Sequence, residues 1–320
     1  MEPTRTTGRA GRAFCYFVGL HQPADAVHFD ACCISINRLR GRRRPVRCDQ
    51  VLVDSGAFTE LARHGRYRHP VEDYAAELYR LHACGVVNIV AAVAQDYMCE
   101  PAMMARTGLT IRAHQRLTIS RYDALLAELG RLFDGSCPFT VMPVLQGHAP
   151  RDYVRHIHMY GSRLMPEMWV GVGSVCKRNG SPQAIVEILH AIRSVRQDLQ
   201  LHGFGLKRTA LEHPSVRSHL ASADSMAWSF AARRQGRNPN SWREARRFVS
   251  MIAAACKHTD QMPVSLDQAG HPANEIFSPA LEIAIRAVRT PHPKENRKCP
   301  PRVKSTQPIR PSGPSNCASI

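Results

Sequence analysis

Val51-Leu52-Val53-Asp54-Ser55-Gly56-Ala57-Phe58 joins a short apolar run to a carboxylate and then to a Ser-Gly turn. An apolar run bounded by such a turn reads as a buried strand that ends at Asp54. A second stretch, Ala221-Ser222-Ala223-Asp224-Ser225-Met226-Ala227-Trp228, again sets one acid between small or apolar residues and a polar turn. In a barrel of parallel strands the carboxyl ends of the strands face the site while the rest of each strand is packed core. Both acids are therefore expected on the catalytic rim, where two carboxylates can divide displacement at a sugar carbon, one as nucleophile and one as proton carrier.

Working outward from these stretches, short apolar runs alternate with segments of helical character. Eight strands are predicted: Phe14 to Leu20, His28 to Ile36, Val51 to Val53, Val87 to Val93, Phe139 to Leu145, Trp169 to Gly173, Leu199 to Phe204 and Ala223 to Ala227. Between them, Val71 to Ala83 places Tyr74, Leu78 and Leu81 near one helical face, and Pro150 leads into Tyr153, Ile157 and Tyr160. Ser181-Pro182 has the form of an N-cap followed by proline at the first helical position. Ser241 and Glu244 have capping-box spacing. The basic run Arg38 to Arg44 is expected to be a loop. Such alternation implies parallel strands, and the fold class is α/β, a (β/α)8 barrel with flexible basic termini.

The chain has 320 residues, enough for one large α/β domain. Residues 1–13 read as a flexible basic arm, 14–289 as the barrel domain, and 290–320 as a disordered tail rich in Pro, Lys and Arg. No apolar run approaches the roughly 20 residues of a membrane helix, and Phe14 to Leu20 is short for a secretory signal, so a cytoplasmic protein without membrane partners is expected. Eleven cysteines without a CxxC pair suit reduced thiols. The net charge of +17 favours a nucleic-acid partner, since each phosphate neutralised releases counterions, although charge alone also fits an acidic membrane surface or an acidic protein.

The predicted strand ends collect a coherent set of groups: Asp54, Asp96, Gln146-Gly147, Gly173-Ser174 and Asp224. A carboxylate accepts from ring and exocyclic N–H groups, an amide both donates and accepts, and glycine admits close backbone approach, so the set suits the edge of a purine. Asp54 or Asp96 taken alone is equally an N-cap, and Gln146-Gly147 equally a turn. Asp224 is harder to account for locally, because an acid among Ala, Met, Trp and Phe is costly to bury unpaired. Lys177, Arg178, Lys207, Arg208, Arg233, Arg234 and Arg237 follow the last three strands. Cations near helix starts oppose the helix dipole, which an anionic ligand would offset; any one cluster is equally solvated charge, but three at successive strand ends lead to the expectation of a phosphate-backbone track.

From about residue 50 to 237 these residues resemble the tRNA-guanine transglycosylases, and more closely their DNA-modifying relatives of the DpdA type. Asp54-Ser55-Gly56-Ala57-Phe58 is similar to the family's Asp-Ser-Gly-Gly-Phe, and Asp96 to its base-recognition Asp. Val144-Leu145-Gln146-Gly147 resembles the Val-Gln-Gly segment, Gly171-Val172-Gly173-Ser174 the Gly-Gly-Leu segment, and His202-Gly203-Phe204-Gly205 the Met-Gly segment, all in the family's order. Ala57 and Ser174 stand where the family has Gly. The nucleophile segment Asp-Met-Phe-Asp-Cys-Val has two acids, whereas residues 223–228 have one. A strict alignment places Ala227 at the nucleophile, and Asp224 is the only acid available to fill that role. The family's zinc signature is absent, which favours the shorter DNA-acting branch.

The resemblance implies exchange of guanine in DNA for a 7-deazaguanine such as preQ0 through a covalent glycosyl-enzyme. Asp224 would be the nucleophile and Asp54 the proton carrier, with Asp96, Gln146, Gly147, Gly173 and Ser174 at the base and Phe204 stacking on it. It implies no cofactor and no metal, and leaves room for accessory DNA-modification proteins. The alternatives are the same chemistry on tRNA, a non-catalytic nucleic-acid-binding barrel, and a barrel enzyme acting on a small phosphorylated substrate.

Overall fold

The structure, a computed structural model, describes residues 14–260. The arm at 1–13, the tail at 290–320 and the end of the expected barrel domain, 261–289, lie outside the described residues. Nine parallel strands form one sheet, β1 (Cys15–Gly19), β2 (Ala31–Ser35), β3 (Gln50–Asp54), β4 (Ile89–Val93), β5 (Thr140–Met142), β6 (Val144–Leu145), β7 (Trp169–Val172), β8 (Gln200–Gly203) and β9 (Ser222–Ser225). Their order is β5-β4-β3-β2-β1-β9-β8-β7-β6.

Strands β5 and β6 belong to one run interrupted at Pro143. Proline has no amide hydrogen to give to a ladder, but its carbonyl accepts from the Gly171 amide at 2.9 Å. The run therefore pairs with β4 on one side and with β7 on the other, bringing the two ends of the sheet order together. Eight strand positions with helices outside make the expected (β/α)8 barrel.

The core is double, as the period-2 alternation of strands requires. Phe17, Cys33, Leu52, Val93, Met142, Val144 and Trp169 face inward and fill the barrel, with Phe17 and Trp169 rings 5.7 Å apart. Val18, Ile34, Val51, Val53, Val170 and Val172 face outward, against helical residues such as Tyr74, Leu78, Ile157 and Ile188. Parity then sets the rim. Asp54 lies two residues beyond inward Leu52, and Asp224 two beyond Ser222, whose hydroxyl accepts from the Trp169 indole at 2.9 Å. Both acids project into the mouth.

Among the helices, Val71–Ala83, Pro150–Tyr160, Pro182–Val195 and Trp242–Asp260 occupy the expected places. Three local expectations are corrected. The basic segment after β2 begins with a one-turn helix, Ile36–Leu39, capped by the Ser35 hydroxyl. Ser181 precedes its helix without a side-chain cap bond, leaving Pro182 at the first position as the start signal. Glu244 does not close a capping box: its carboxylate pairs with Arg237 at 3.0 Å, while the Ser241 amide donates to the Asn238 carbonyl. Charge attraction outcompetes the cap at this half-exposed start. Among the described residues no helix is long and apolar enough to cross a membrane.

Candidate active site

Asp224 is held by residues from two strands. The Gly205 amide donates to Asp224 Oδ1 at 3.0 Å, and His202 Nε2 lies 3.3 Å from the same oxygen. His202 is fully buried, whereas the Asp224 side chain keeps 14% of its surface exposed. His202 Nδ1 is 2.9 Å from Ser222 Oγ, which also accepts from Trp169 Nε1. An ionised carboxylate only accepts, so the pattern that satisfies every group puts the imidazole proton on Nε2 and turns the Ser222 hydroxyl toward Nδ1. A line of hydrogen bonds thus runs from the barrel floor to Asp224. Gly205 is required twice over: its φ is +65°, and a Cβ would stand 2.8 Å from Cys176 Cβ.

Asp54, across β1 and β2 from Asp224, is partly buried at the end of β3. Its Oδ2 accepts from the Gly56 amide at 2.9 Å in a local turn, and the N-cap role open to it falls instead to Gly56, ahead of the helix Ala57–His64. Burial pushes its pKa up to about 6, opposed by the Gly56 amide and reinforced by the charge of Asp224. Cys33 reports the same proximity, since its thiol is pushed well up by burial and then by the charges of Asp224 and Asp54. Asp96 is more deeply placed and caps no helix. Burial, then the charge of Asp54, raises its pKa to about 7, against the opposing bond from Gln146. At neutral pH the mouth therefore holds acids that carry or readily take up a proton.

The groups predicted to hold a base form one network. Gln146 Nε2 donates to Asp96 Oδ2, and Gln146 Oε1 accepts from the Ser174 hydroxyl at 2.8 Å. Ser55 Oγ approaches Asp96 Oδ1 at 3.4 Å, and the Cys99 amide donates to Ser174 Oγ at 3.0 Å. Two outer helices clamp the Gln146 backbone: its amide donates to His156 Nδ1 at 2.9 Å and its carbonyl accepts from Gln115 Nε2 at 2.7 Å. Burial lowers the His156 pKa to about 3, keeping it neutral and able to accept. Gly173 lets the Gln146 amide lie across its backbone, because a Cβ there would overlap Nε2. Ser174 is left-handed at φ +59°. Gly147 faces the Asp152 and Tyr153 side chains, so helix packing accounts for its small size. Phe204 packs against Gly171 and lies 4.7 Å, edge-on, from the His202 ring.

Two residues of this neighbourhood are not identified by sequence reasoning. His202 is legible only as part of a segment likeness. Glu100 is 3% exposed at the start of helix Pro101–Thr107. Its Oε1 accepts from the Cys176 thiol at 3.2 Å, while Oε2 has no hydrogen-bond partner among the described residues and lies 3.8 Å from Lys177 Nζ. A Glu directly before Pro reads as an ordinary helix start, and nothing local announces its burial.

The basic residues divide into two groups. Arg178 donates to the carbonyls of Ser174 and His148, Arg208 pairs with Glu212 at 2.8 Å, and Arg237 pairs with Glu244. Lys177 reaches Glu100 and lies 5.4 Å from the exposed Phe58 ring. Lys207, Arg233 and Arg234 are exposed and make no ion pair among the described residues; Lys207 precedes a helix as expected, but Arg233 and Arg234 lie in the last turn of the helix Ala227–Arg234, where the dipole favours a cation, which corrects their expected place at a helix start. Within the same residues, no group of three or more His, Cys, Asp or Glu is placed to hold a metal ion.

A parallel barrel whose inward acids and amides gather at the carboxyl ends of its strands defines a (β/α)8 enzyme of the kind that works on a ligand at its mouth. The family model DpdA, DeoxyPurine in DNA protein A, matches residues 15–290, and the chain belongs to this family of DNA-modifying transglycosylases, which are related to the tRNA-guanine transglycosylases. No curated protein matches the chain.

Proposed function

We propose that this protein exchanges guanine in DNA for a 7-deazaguanine such as preQ0 through a covalent glycosyl-enzyme. The observation that carries the reading is the pair Asp224 and Asp54. They share one inner face at the barrel mouth, each within the other's electrostatic reach, and Asp54 titrates near 6. An Asp224 oxygen attacks C1′ while the bond from C1′ to the guanine nitrogen breaks, and Asp54 supplies the proton that the departing base takes up. The incoming base returns a proton to Asp54 as its nitrogen attacks C1′, and the bond to Asp224 breaks. Atoms and charge balance with no cofactor.

His202 and the Gly205 amide fix the Asp224 carboxylate for that attack. Asp96, Gln146, Gly173 and Ser174 hold the heterocycle, whose N–H groups replace bonds these residues make to one another, and Phe204 offers a face. Gly147 supports the Gln146 loop through packing. Since C1′ is hidden in a stacked duplex, the target nucleotide is extruded or already single-stranded, at a cost of a few kcal/mol. Contacts from Lys177, Arg178, Lys207, Arg208, Arg233, Arg234 and Arg237 to the strand offset that cost, with Lys207, Arg233 and Arg234 the least committed elsewhere. Accessory proteins that open the duplex fit the same requirement.

The test is to offer purified protein labelled guanine or preQ0 with DNA and, separately, tRNA. Incorporation into DNA that vanishes in Asp224→Asn is expected. Incorporation into tRNA alone would overturn the DNA assignment.

A further inference from the structure

Phe230 is 55% exposed although it sits near the start of the helix that follows the Asp224 strand. An exposed aromatic ring by itself is ordinary. Here it lies in a groove of about 390 Å³ between Lys207–Thr209 and the helix Ala227–Arg234. Lys207 Nζ stands 5.8 Å from the ring centre, and Arg234 borders the same groove. Among the described residues no carboxylate lines it. Glu212 engages Arg208 at 2.8 Å, which leaves Lys207 and Arg234 as the groove's cations without an ion-pair partner among the described residues. Ala227 and Ala231, on the same face of the helix as Phe230, leave room for a flat group beside the ring.

The groove is also tied to the reacting centre. The Gly205 amide donates to Asp224 Oδ1 and the Leu206 amide to the Asp224 carbonyl at 2.9 Å, so Lys207 is the next residue along a segment bonded to Asp224. Phe230 is on the helix that starts at Ala227, just past Asp224.

We propose that this groove is a subsite for the nucleotide next to the one undergoing exchange, with its base stacked on Phe230 and its phosphate held by Lys207 and Arg234. The proposal rests on the nucleic-acid reading above and adds a position and a conformation to it. A base can lie on Phe230 only if one of its faces is freed from its neighbour, so the strand entering the groove is unstacked there. One cation near an aromatic ring and a second on the border of the same groove match the pairing of phosphate contact and base stacking by which single strands are held. A purely apolar partner would leave Lys207 and Arg234 uncompensated.

The experiment measures binding of the full chain to a single-stranded oligonucleotide containing one guanine, with each flanking base in turn replaced by an abasic site. Wild-type protein is expected to lose about tenfold in affinity at one flanking position. Phe230→Ala binds the intact strand about tenfold more weakly and is indifferent to the abasic site at that position, while Phe230→Trp restores the discrimination and shows that the fold is retained. Lys207→Ala and Arg234→Ala each flatten the salt dependence, by a slope of about 0.7 for each phosphate no longer neutralised. The groove assignment is overturned if no abasic position matters to the wild type, or if Phe230→Ala shows the same loss as the wild type. Guanine exchange is followed in parallel. Exchange that persists without base discrimination removes the groove alone; discrimination without exchange upholds the groove and removes the transglycosylase; absence of DNA binding overturns both.

Discussion

His202 Nε2 lies 3.3 Å from Asp224 Oδ1, with the imidazole fully buried and its other nitrogen 2.9 Å from Ser222 Oγ. Asp224 is thus met from beneath by a ring engaged at both nitrogens. Trp169, His202 and Ser222, inward on β7, β8 and β9, form one hydrogen-bonded step between the packed floor and the mouth.

His202→Phe should keep the ring volume and remove the donor to Asp224. In the proposed mechanism it acts on the position of the nucleophile, so kcat for base exchange should drop about 10²-fold, with a smaller change in KM. Asp224→Asn should abolish exchange altogether. Steady-state kinetics on both variants checks this, and an unchanged kcat in His202→Phe would remove the ring from the positioning role.

Asp54, with its pKa near 6, carries its proton on the acid side of that value. Release of the leaving base should therefore slow as pH rises through about 6, because the fraction of Asp54 able to donate declines. Asp54→Asn should cost between about 10² and 10⁴ in rate, and its residual activity should lack that limb. A pH profile of guanine release is the measurement; a limb that survives in Asp54→Asn belongs to another group.

Asp96 makes a prediction for stability. Its pKa rises from 3.8 to about 7 on folding. Between those values the folded protein keeps a proton that the unfolded chain has released, so this group's contribution is fully present below pH 3.8 and is lost as pH rises through about 7. Asp96→Asn removes the buried charge. Relative to wild type it should gain at least about 1 kcal/mol, the equivalent of one pKa unit, on going from pH 5 to pH 8. Denaturant unfolding at the two pH values checks the sign, and a difference that does not grow with pH contradicts it.

Gly173→Ala should displace the Gln146 amide, because the new Cβ would overlap Nε2. The bonds from Gln146 to Asp96 and Ser174 would be lost with it, at a cost of about 1–3 kcal/mol and with loss of base binding. Gly180→Ala serves as the control, since nothing lies within 4 Å of the position a Cβ would take there, and it should stay within about 0.5 kcal/mol of wild type. Thermal unfolding together with equilibrium binding of free preQ0 separates the two effects.

The strand pattern is legible because each strand carries its own apolar run and ends at its own turn. All eight predicted strands occur, and Val71–Ala83 has the predicted ends. The placement of Asp54 and Asp224 at strand ends follows from the same local signals. Gln146, Gly173 and Ser174 are found the same way, as polar or small residues just after apolar runs. Glu100 is not, because its burial depends on Cys176 and Lys177, far away in the chain. The cap expected at Ser241 and Glu244 fails for a related reason, since the spacing cannot register that Arg237 competes for the carboxylate.

The order of strands and the identity of the rim acids are properties of the sequence by itself, set by hydrophobic alternation and turn chemistry over a few residues. Tertiary structure alone decides that Pro143 joins the two ends of the sheet, that His202 and Gly205 converge on one oxygen of Asp224, and that Arg178 and Arg237 are engaged while Lys207 and Arg234 make no ion pair among the described residues. The physical reason is register. Hydrogen bonding between neighbouring strands determines which inward residues share a layer, and a carboxylate's partners and proton affinity are determined within that layer.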